Sequence, residues 1–469
     1  MKFGLDFGTT NSSISINQGG KTRVIEVDQA ALDQRVIRSM LYFLRREILY
    51  GSNVTPQQIQ SQTFKVGDIQ YQGRQELLIG QEAIESYLND NKQRKPGIKR
   101  TIYTGRFRRM KDNPDQPRTD PVPEYYEEVD YGTGRLIQAL KSSLRTSFKG
   151  TTIFGQFYSV EELIGMFVKK IKEKAEAENG LAIEEITIGR PVHFSLDPEV
   201  DQKAQNRLAV AMKTAGFKKL KFEYEPVAAA KQFLAASNQK QTIFVFDFGG
   251  GTLDTAIVRF GEKIEVLATD GVYIGGDLLN ADIMQHTLWD YFGASSTWGE
   301  QKLQMPSYIY SALNSWYSIP SLNGPDVMNF LERAGYKNSN PKALERLIYL
   351  IKTNVGFEIY EAIEKAKKQL SEEKEARIIY DDGPINLDLK ITRDEFEKII
   401  APRVEEIKEV VLKTLQMAKL EGSQIDMVVR TGGSSLIPVF EHILEDIFGK
   451  EKITLFETFT SIAAGLSLS

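Results

Sequence analysis

The 469-residue chain contains no cysteine. That excludes a disulfide framework, a thiol nucleophile and any zinc site built on thiolates. Histidine is scarce: His193, His286 and His442 are scattered without ligand spacing, so a histidine-held metal is not expected. Any metal would be a hard, oxygen-bound cation. No run of about 18 apolar residues appears, so no membrane span is readable. The start lacks the apolar stretch of a signal peptide, because Met1-Lys2-Phe3-Gly4-Leu5 runs directly into Asp6. The simplest expectation is a cytoplasmic protein. Charge of one sign is lacking too: 63 acidic against 59 basic residues leave a formal charge of −4. That balance gives no support to a nucleic-acid coat or a membrane-surface binder. What is present is an ordinary globular mixture, 41% hydrophobic and 26% charged. One core seldom grows beyond about 250–300 residues, so at least two packed bodies are expected.

The opening motif recurs near the middle. Residues 3–16 read FGLDFGTTNSSISI, and residues 244–258 read FVFDFGGGTLDTAIV. Each is an apolar strand, then Asp-Phe-Gly, then a turn of small residues, then a second apolar strand. Asp6 matches Asp247 and Gly8 matches Gly249. One such hairpin would be unremarked; two, each with threonine in the turn, predict a duplicated fold whose halves face each other. Glycine admits close backbone approach, and successive N–H groups form an anion-binding concavity. Thr9, Thr10, Ser12 and Thr252 add hydroxyl donors. No G-x-x-x-x-G-K-[ST] occurs, so this is not the helix-N-terminus phosphate loop. Two hairpins gripping one phosphate chain from opposite sides is the geometry suggested. Asp6 and Asp247 would then sit near a shared Mg²⁺, held through its waters.

Further motifs follow in order: YSVEELIGMFVKKIKEKAEAENG (158–180), EEITIGRPVHF (184–194), AGFKKLKFEYEPVAAA (215–230), IGGDLLN (274–280), EKAKKQLS (364–371), TGGSSLIP (431–438) and SIAAGL (461–466). Together with the two hairpins they resemble the DnaK-type heat shock protein 70 family, within the actin-like ATPase superfamily. The wording of IGRPVHF, YEPVAAA and IGGDLL is most similar to the short YegD-like chaperones, which are essentially an ATPase domain. The resemblance implies ATP/ADP and Mg²⁺ as ligands. It implies that Asp6 and Asp247 hold the metal through water. Gly8, Thr9, Thr10, Asn11, Gly249, Gly250, Gly251 and Thr252 would cradle the phosphates, with Gly275 and Gly276 beside them. Glu225 would orient the attacking water or act as its base. Lys99, in GIKRTIYTGR, matches the lysine that reaches the γ-phosphate. Glu364, Lys367, Lys368 and Ser371 would surround the adenosine, with Gly432, Gly433 and Ser434 opposite. Catalysis would be in-line attack of water on the γ-phosphate, mostly by positioning and charge stabilisation.

Lys99 lies in a basic cluster with Arg94, Lys95, Arg100, Arg106, Arg108 and Arg109, so another cation there could be the phosphate contact. Three departures from the family pattern stand out. Leu436 occupies the position usually held by arginine in the adenosine motif. Residues 29–155 and 290–357 look expanded, the latter with Trp298, Tyr308, Tyr310, Trp316 and Tyr317 among Gly and Pro. That aromatic group reads as the core of a small subdomain, or alternatively as a partner surface. The sequence runs only a few residues beyond SIAAGL, so an ATPase domain without the family's peptide-binding domain is expected. Protein partners or clients would then use the inserted outer subdomains.

The expected fold is α/β: two duplicated lobes, each an inner mixed sheet flanked by helices plus a smaller outer subdomain. Lobe I is expected over 1–240 with its outer part near 29–155, and lobe II over 241–469 with its outer part near 275–380. The expected function is Mg-dependent ATP binding and hydrolysis, with cleft opening and closing as a chaperone-like or regulatory switch. An ATP-binding pseudo-enzyme and an actin-like polymerising ATPase are the alternatives. A sugar or acid kinase is disfavoured, because Glu225 sits where a water-activating residue belongs.

Overall fold

In the computed structural model, all residues are described except 45–47, 51–62, 66–68, 72–75, 93–97, 109–121, 131–133, 155, 236–239, 262 and 457–459. The side chains of 45–75 and 92–133 also lie outside the description.

Two sheets carry the repeated motif. In the first, strand Lys2–Phe7 turns back antiparallel into Asn11–Gln18, which pairs with Lys21–Val24. On its other side Lys2–Phe7 runs parallel to Glu185–Arg190, which runs parallel to Lys219–Tyr224. In the second, Gln241–Phe248 turns back into Leu253–Phe260 and then Ile264–Val272. Its other edge runs parallel to Met427–Thr431, then to Ile453–Leu455. The two strand orders and directions are the same, so the duplication read from the motifs is a duplication of sheet topology. Register matches as well: Asp6 sits opposite Ser13 and Asp247 opposite Asp254, both next to the turn.

The central strands are apolar on both faces, with Phe244, Val245 and Phe246 all fully buried. This is the pattern of a strand covered by helices on each side. Helices Val160–Asn179 and Pro198–Thr214 cover the first sheet. The first begins at a capping box in which Ser159 and Glu162 satisfy each other's backbone N–H groups. Thr392 and Glu395 start helix Arg393–Ala418 over the second sheet in the same way.

A third, smaller core packs two helices on the second sheet. Helix Glu225–Ala235 packs on helix Ser461–Leu466 through alanine and glycine. A Cβ at Gly465 would meet Ala228 O at 1.8 Å, and one at Gly4 would meet Ala463 O at 2.5 Å. The Ser461–Leu466 helix is thereby wedged between the first strand and the Glu225 helix. Ser15 Oγ donates to Ala463 O at 2.5 Å, and Thr431 and Ser461 share a hydroxyl bond at 3.0 Å. These two helices cross between the sheets.

The largest core is not confined to one half. Met40, Tyr42, Ala83, Ile84, Tyr87 and Leu136 share it with residues 244–448. Rings Tyr42, Tyr87, Phe357 and Trp316 stack edge to face in succession, with centroids 5.2–5.9 Å apart. Three of the five aromatics singled out in 290–357 are packing: Tyr310 and Trp316 are buried and Trp298 packs on Phe330, while Tyr308 and Tyr317 are 55% and 52% exposed. Among the described residues, no helix is long and apolar enough to cross a membrane.

Candidate functional site

The two Asp-Phe-Gly turns meet. A Cβ at Gly250 would lie 2.0 Å from Thr10 Oγ1, and one at Gly251 would lie 2.4 Å from Thr9 Oγ1. Only glycine lets the second turn come this near the threonines of the first. The second turn is braced by the next motif. Gly276 N donates to Gly249 O at 3.0 Å, and Asp277 N donates to Gly250 O at 2.8 Å. Ser434 Oγ donates to the same Gly249 carbonyl at 2.9 Å. Gly432 has φ +79°, and a Cβ there would meet Phe248 O at 2.3 Å. Gly8, Asn11, Gly249, Gly250, Gly251, Thr252, Gly275, Gly276, Gly432, Gly433 and Ser434 therefore converge on one place.

Beneath the turns lie four carboxylates, with Glu225, Asp247 and Asp254 buried and Asp6 half-buried. Asp6 sits near the end of strand Lys2–Phe7, and Asp247 holds the matching place in strand Gln241–Phe248. Glu225, the first residue of its helix, is buried at 5% exposure. Lys141 Nζ donates to Glu225 Oε1 at 2.6 Å, and both side chains are buried. Asp254 completes the group. Its Oδ1 accepts from Val192 N at 2.7 Å, and hydrogen bonds from Thr252 and Val192 pull its pKa down against burial.

Electrostatics follow from crowding four acids around one lysine. Burial first, then the Glu225 charge, pushes Asp6 up to about 7, against the pull of Lys141. Asp254 is pushed to about 7 by burial and Glu225. Asp247 is raised well above the usual carboxylate range, by burial and then by Glu225, Asp254 and Asp6. Burial opposes the charge on Lys141, yet Glu225, Asp6 and Asp254 together hold its pKa above the ordinary lysine value. A bound cation would relieve this excess of buried negative charge. Thr10 Oγ1 lies against the Gly250 turn, and its hydrogen bond pulls down the Asp277 pKa. The donor set is all oxygen, as Mg²⁺ requires. No three acidic or histidine side chains among the described residues form a direct metal cage. Holding a metal through water needs none.

The third region belongs to the second half. Helix Gly356–Glu372 carries Glu364, Lys367, Lys368 and Ser371. Lys367 Nζ bonds Glu364 at 2.6 Å and Gly276 O at 3.0 Å, so this lysine ties the helix to the glycine pair. Burial opposes the Glu364 charge, but Lys367, Lys368 and Asn280 hold its pKa at about 2. Lys368 is the exposed cation, and Leu436 is 37% exposed, next in sequence to Ser434 and Ser435. Asp277, at the start of helix Gly276–Ile283, is raised to about 6 by burial, against the pull of Lys367.

Lys99 lies on strand Ile98–Arg108, and its side chain falls outside the described residues. The side chains of the basic cluster from Arg94 to Arg109 fall outside them as well. The lysine that the structure places on Glu225 is Lys141, which no sequence motif marks. Asp254 and Asp277 are further site residues absent from the sequence-based set. Asp254 has a readable signal, since it is the second residue after Thr252 and pairs with Asp247 across the hairpin. Lys141 has none: QALKSSLR is an unremarkable stretch, and its role comes from tertiary packing.

Comparisons with known proteins bear on the family. A family model described as Hsp70 protein matches residues 124–302 and 351–469. The Chaperone protein DnaK of one strain of Thermus thermophilus is 27% identical over 458 residues, covering 96% of this chain and 57% of that protein. The Chaperone protein DnaK of Prochlorococcus marinus (strain MIT 9515) is 26% identical over 473 residues, covering 99% of this chain and 58% of that protein. The chain thus spans somewhat more than half the length of these relatives. With its two equivalent mixed sheets it has the Hsp70/actin-like ATPase fold, and it belongs to the Hsp70 family.

Proposed function

We propose that this chain binds Mg-ATP between the two hairpins and hydrolyses its terminal phosphoanhydride, with opening and closing of the cleft as a switch. The observation that carries the reading is the meeting of the two glycine-threonine turns beside the buried Glu225–Lys141 pair. The Gly249–Gly251 backbone and the Thr9, Thr10 and Thr252 hydroxyls bind phosphate oxygens. Asp6 and Asp247 hold Mg²⁺ through water, and this ion supplies Lewis-acid charge when bound. Glu225 takes the attacking water with the oxygen that Lys141 leaves free, and accepts its proton. Lys141 takes the γ-phosphate-reaching role that the family resemblance gives to Lys99. It keeps Glu225 in place and offers its remaining N–H donors to the transferred group. Glu364, Lys367, Lys368, Ser371 and Gly432 to Ser434 form the nucleoside side. Chaperone or regulatory output belongs to this proposal, as does any client bound by the inserted parts.

The test is nucleotide binding and phosphate release for wild type, Glu225→Ala and Lys141→Ala. Mg-ATP should raise the melting temperature of wild type by several degrees. Both variants should retain binding and lose about 100-fold or more in phosphate release. A wild type that ignores ATP sinks the reading. Binding without phosphate release above background turns it into ATP binding alone.

A further inference from the structure

The segment 138–145 carries Lys141 at its middle and is held from three directions. On the side of the second half, Trp316 Nε1 donates to Gln138 Oε1 at 2.6 Å. Also from that half, the Tyr273 ring stacks under the Arg145 guanidinium at 3.9 Å. From its own half, Arg207 donates to the carbonyls of Ser143 and Leu144 at 3.0 Å, Thr146 at 3.2 Å and Phe148 at 3.0 Å. Between these holds lies a single-turn helix, Leu140–Ser143, which by itself has little stability. Its preceding residue, Ala139, sits at φ 57°, ψ 30°. For a residue with a Cβ this left-handed conformation costs free energy and persists only where neighbours enforce it.

Trp316 is well placed to enforce it. The indole is 8% exposed, packs on Phe357 with centroids 5.2 Å apart and on Tyr317 at 6.0 Å, and belongs to the ring series that includes Tyr87 and Tyr42. Its N–H is fixed by that packing rather than by its own flexibility. The residue lies in the stretch 303–350 that separates the two blocks matched to the Hsp70 protein model. The contact is thus made by a part of the chain outside both blocks.

We propose that Trp316 is a positioning residue: through Gln138 it locks the left-handed Ala139 and so sets Lys141 onto Glu225 only when the two halves are closed together. Opening by the length of one hydrogen bond breaks the Trp316–Gln138 contact and frees the strained turn. Lys141 then loses its fixed approach to Glu225. The consequence for turnover rests on the ATPase reading; the geometry does not.

The experiment compares wild type, Trp316→Phe, Gln138→Ala and, as a control, Trp298→Phe in the full chain. Trp316→Phe keeps an aromatic ring against Phe357 and removes the donor. Hydrogen exchange of the amides of residues 140–146, without nucleotide, should be about tenfold faster in the first two variants and unchanged in the control. Phosphate release should fall about tenfold, with half-saturating ATP within about twofold of wild type. Unchanged exchange overturns the proposal outright. Faster exchange with wild-type turnover overturns the link to Lys141. Should wild type release no phosphate at all, the ATPase reading fails and the exchange result alone decides the clasp.

Discussion

At the scale of single residues, the site concentrates negative charge where water is excluded. Asp254 carries a testable cost. Its folded pKa is near 7, against an ordinary 3.8 when exposed. Between about pH 4 and 7 the native state therefore holds more protons than the unfolded state, and stability falls as pH rises through that window. Asp6 titrates in the same direction. Asp254→Asn keeps the acceptor for Val192 N and removes the charge. In the absence of metal and nucleotide it should stabilise the protein at pH 8 by roughly 1–3 kcal/mol, with most of the gain gone at pH 5. Melting curves at the two pH values decide this; a variant that melts below wild type at pH 8 refutes it. Asp6, Asp247 and Glu225 are legible in the sequence because each sits in a local pattern, either a repeated turn or a Glu-Pro helix start. Lys141 is not, because nothing near it in the chain distinguishes it from the other lysines and arginines. Its place on Glu225 is assigned by packing across 84 residues of sequence.

At the scale of elements, the two hairpins and their sheets are legible from the apolar pattern alone. Alternating or continuous apolar runs ending in glycine-rich turns have few other solutions. The helix start at Ser159 is legible for the same kind of reason, because its capping box is local. What cannot be read is which small residues are small for contact. Gly465 is one. Its Cα faces the Ala228 carbonyl so closely that a methyl group would collide with backbone, which cannot rotate away. Gly465→Ala should cost about 1–3 kcal/mol by forcing the two crossing helices apart. Gly261→Ala, in the turn after strand Leu253–Phe260, has open space around it and should stay within about 0.5 kcal/mol of wild type. Chemical denaturation of both variants checks the contrast, and an equal effect for the two would count against the packing argument.

At the scale of the whole molecule, the sequence leads to an expectation of two lobes with outer subdomains. The sheets are indeed equivalent, yet the largest core runs across both halves, from Met40 and Tyr87 to Phe357 and Phe448. A hydrophobic core shared in this way ties the halves into one cooperative unit. Thermal unfolding should therefore be a single transition, coincident by far-ultraviolet and near-ultraviolet circular dichroism. Two separated transitions would show that the shared core is weaker than the inner ones. Such sharing is invisible in a linear sequence, because it depends on which apolar faces come together after both sheets have formed.

The sheet order has a consequence for how the protein is made. Strand Lys2–Phe7 pairs on one side with its own hairpin partner, but its other side waits for Glu185–Arg190. A ribosome adding about 5–20 residues per second takes roughly 10–40 seconds to supply the roughly 180 residues between them. During that interval the nascent chain presents an apolar, unpaired strand edge, the kind of template on which neighbouring chains assemble wrongly. The Ser461–Leu466 helix, which seals Gly4 and the first strand from the far end, arrives later still. A member of a chaperone family is thus, during its own synthesis, a chain with an edge to protect.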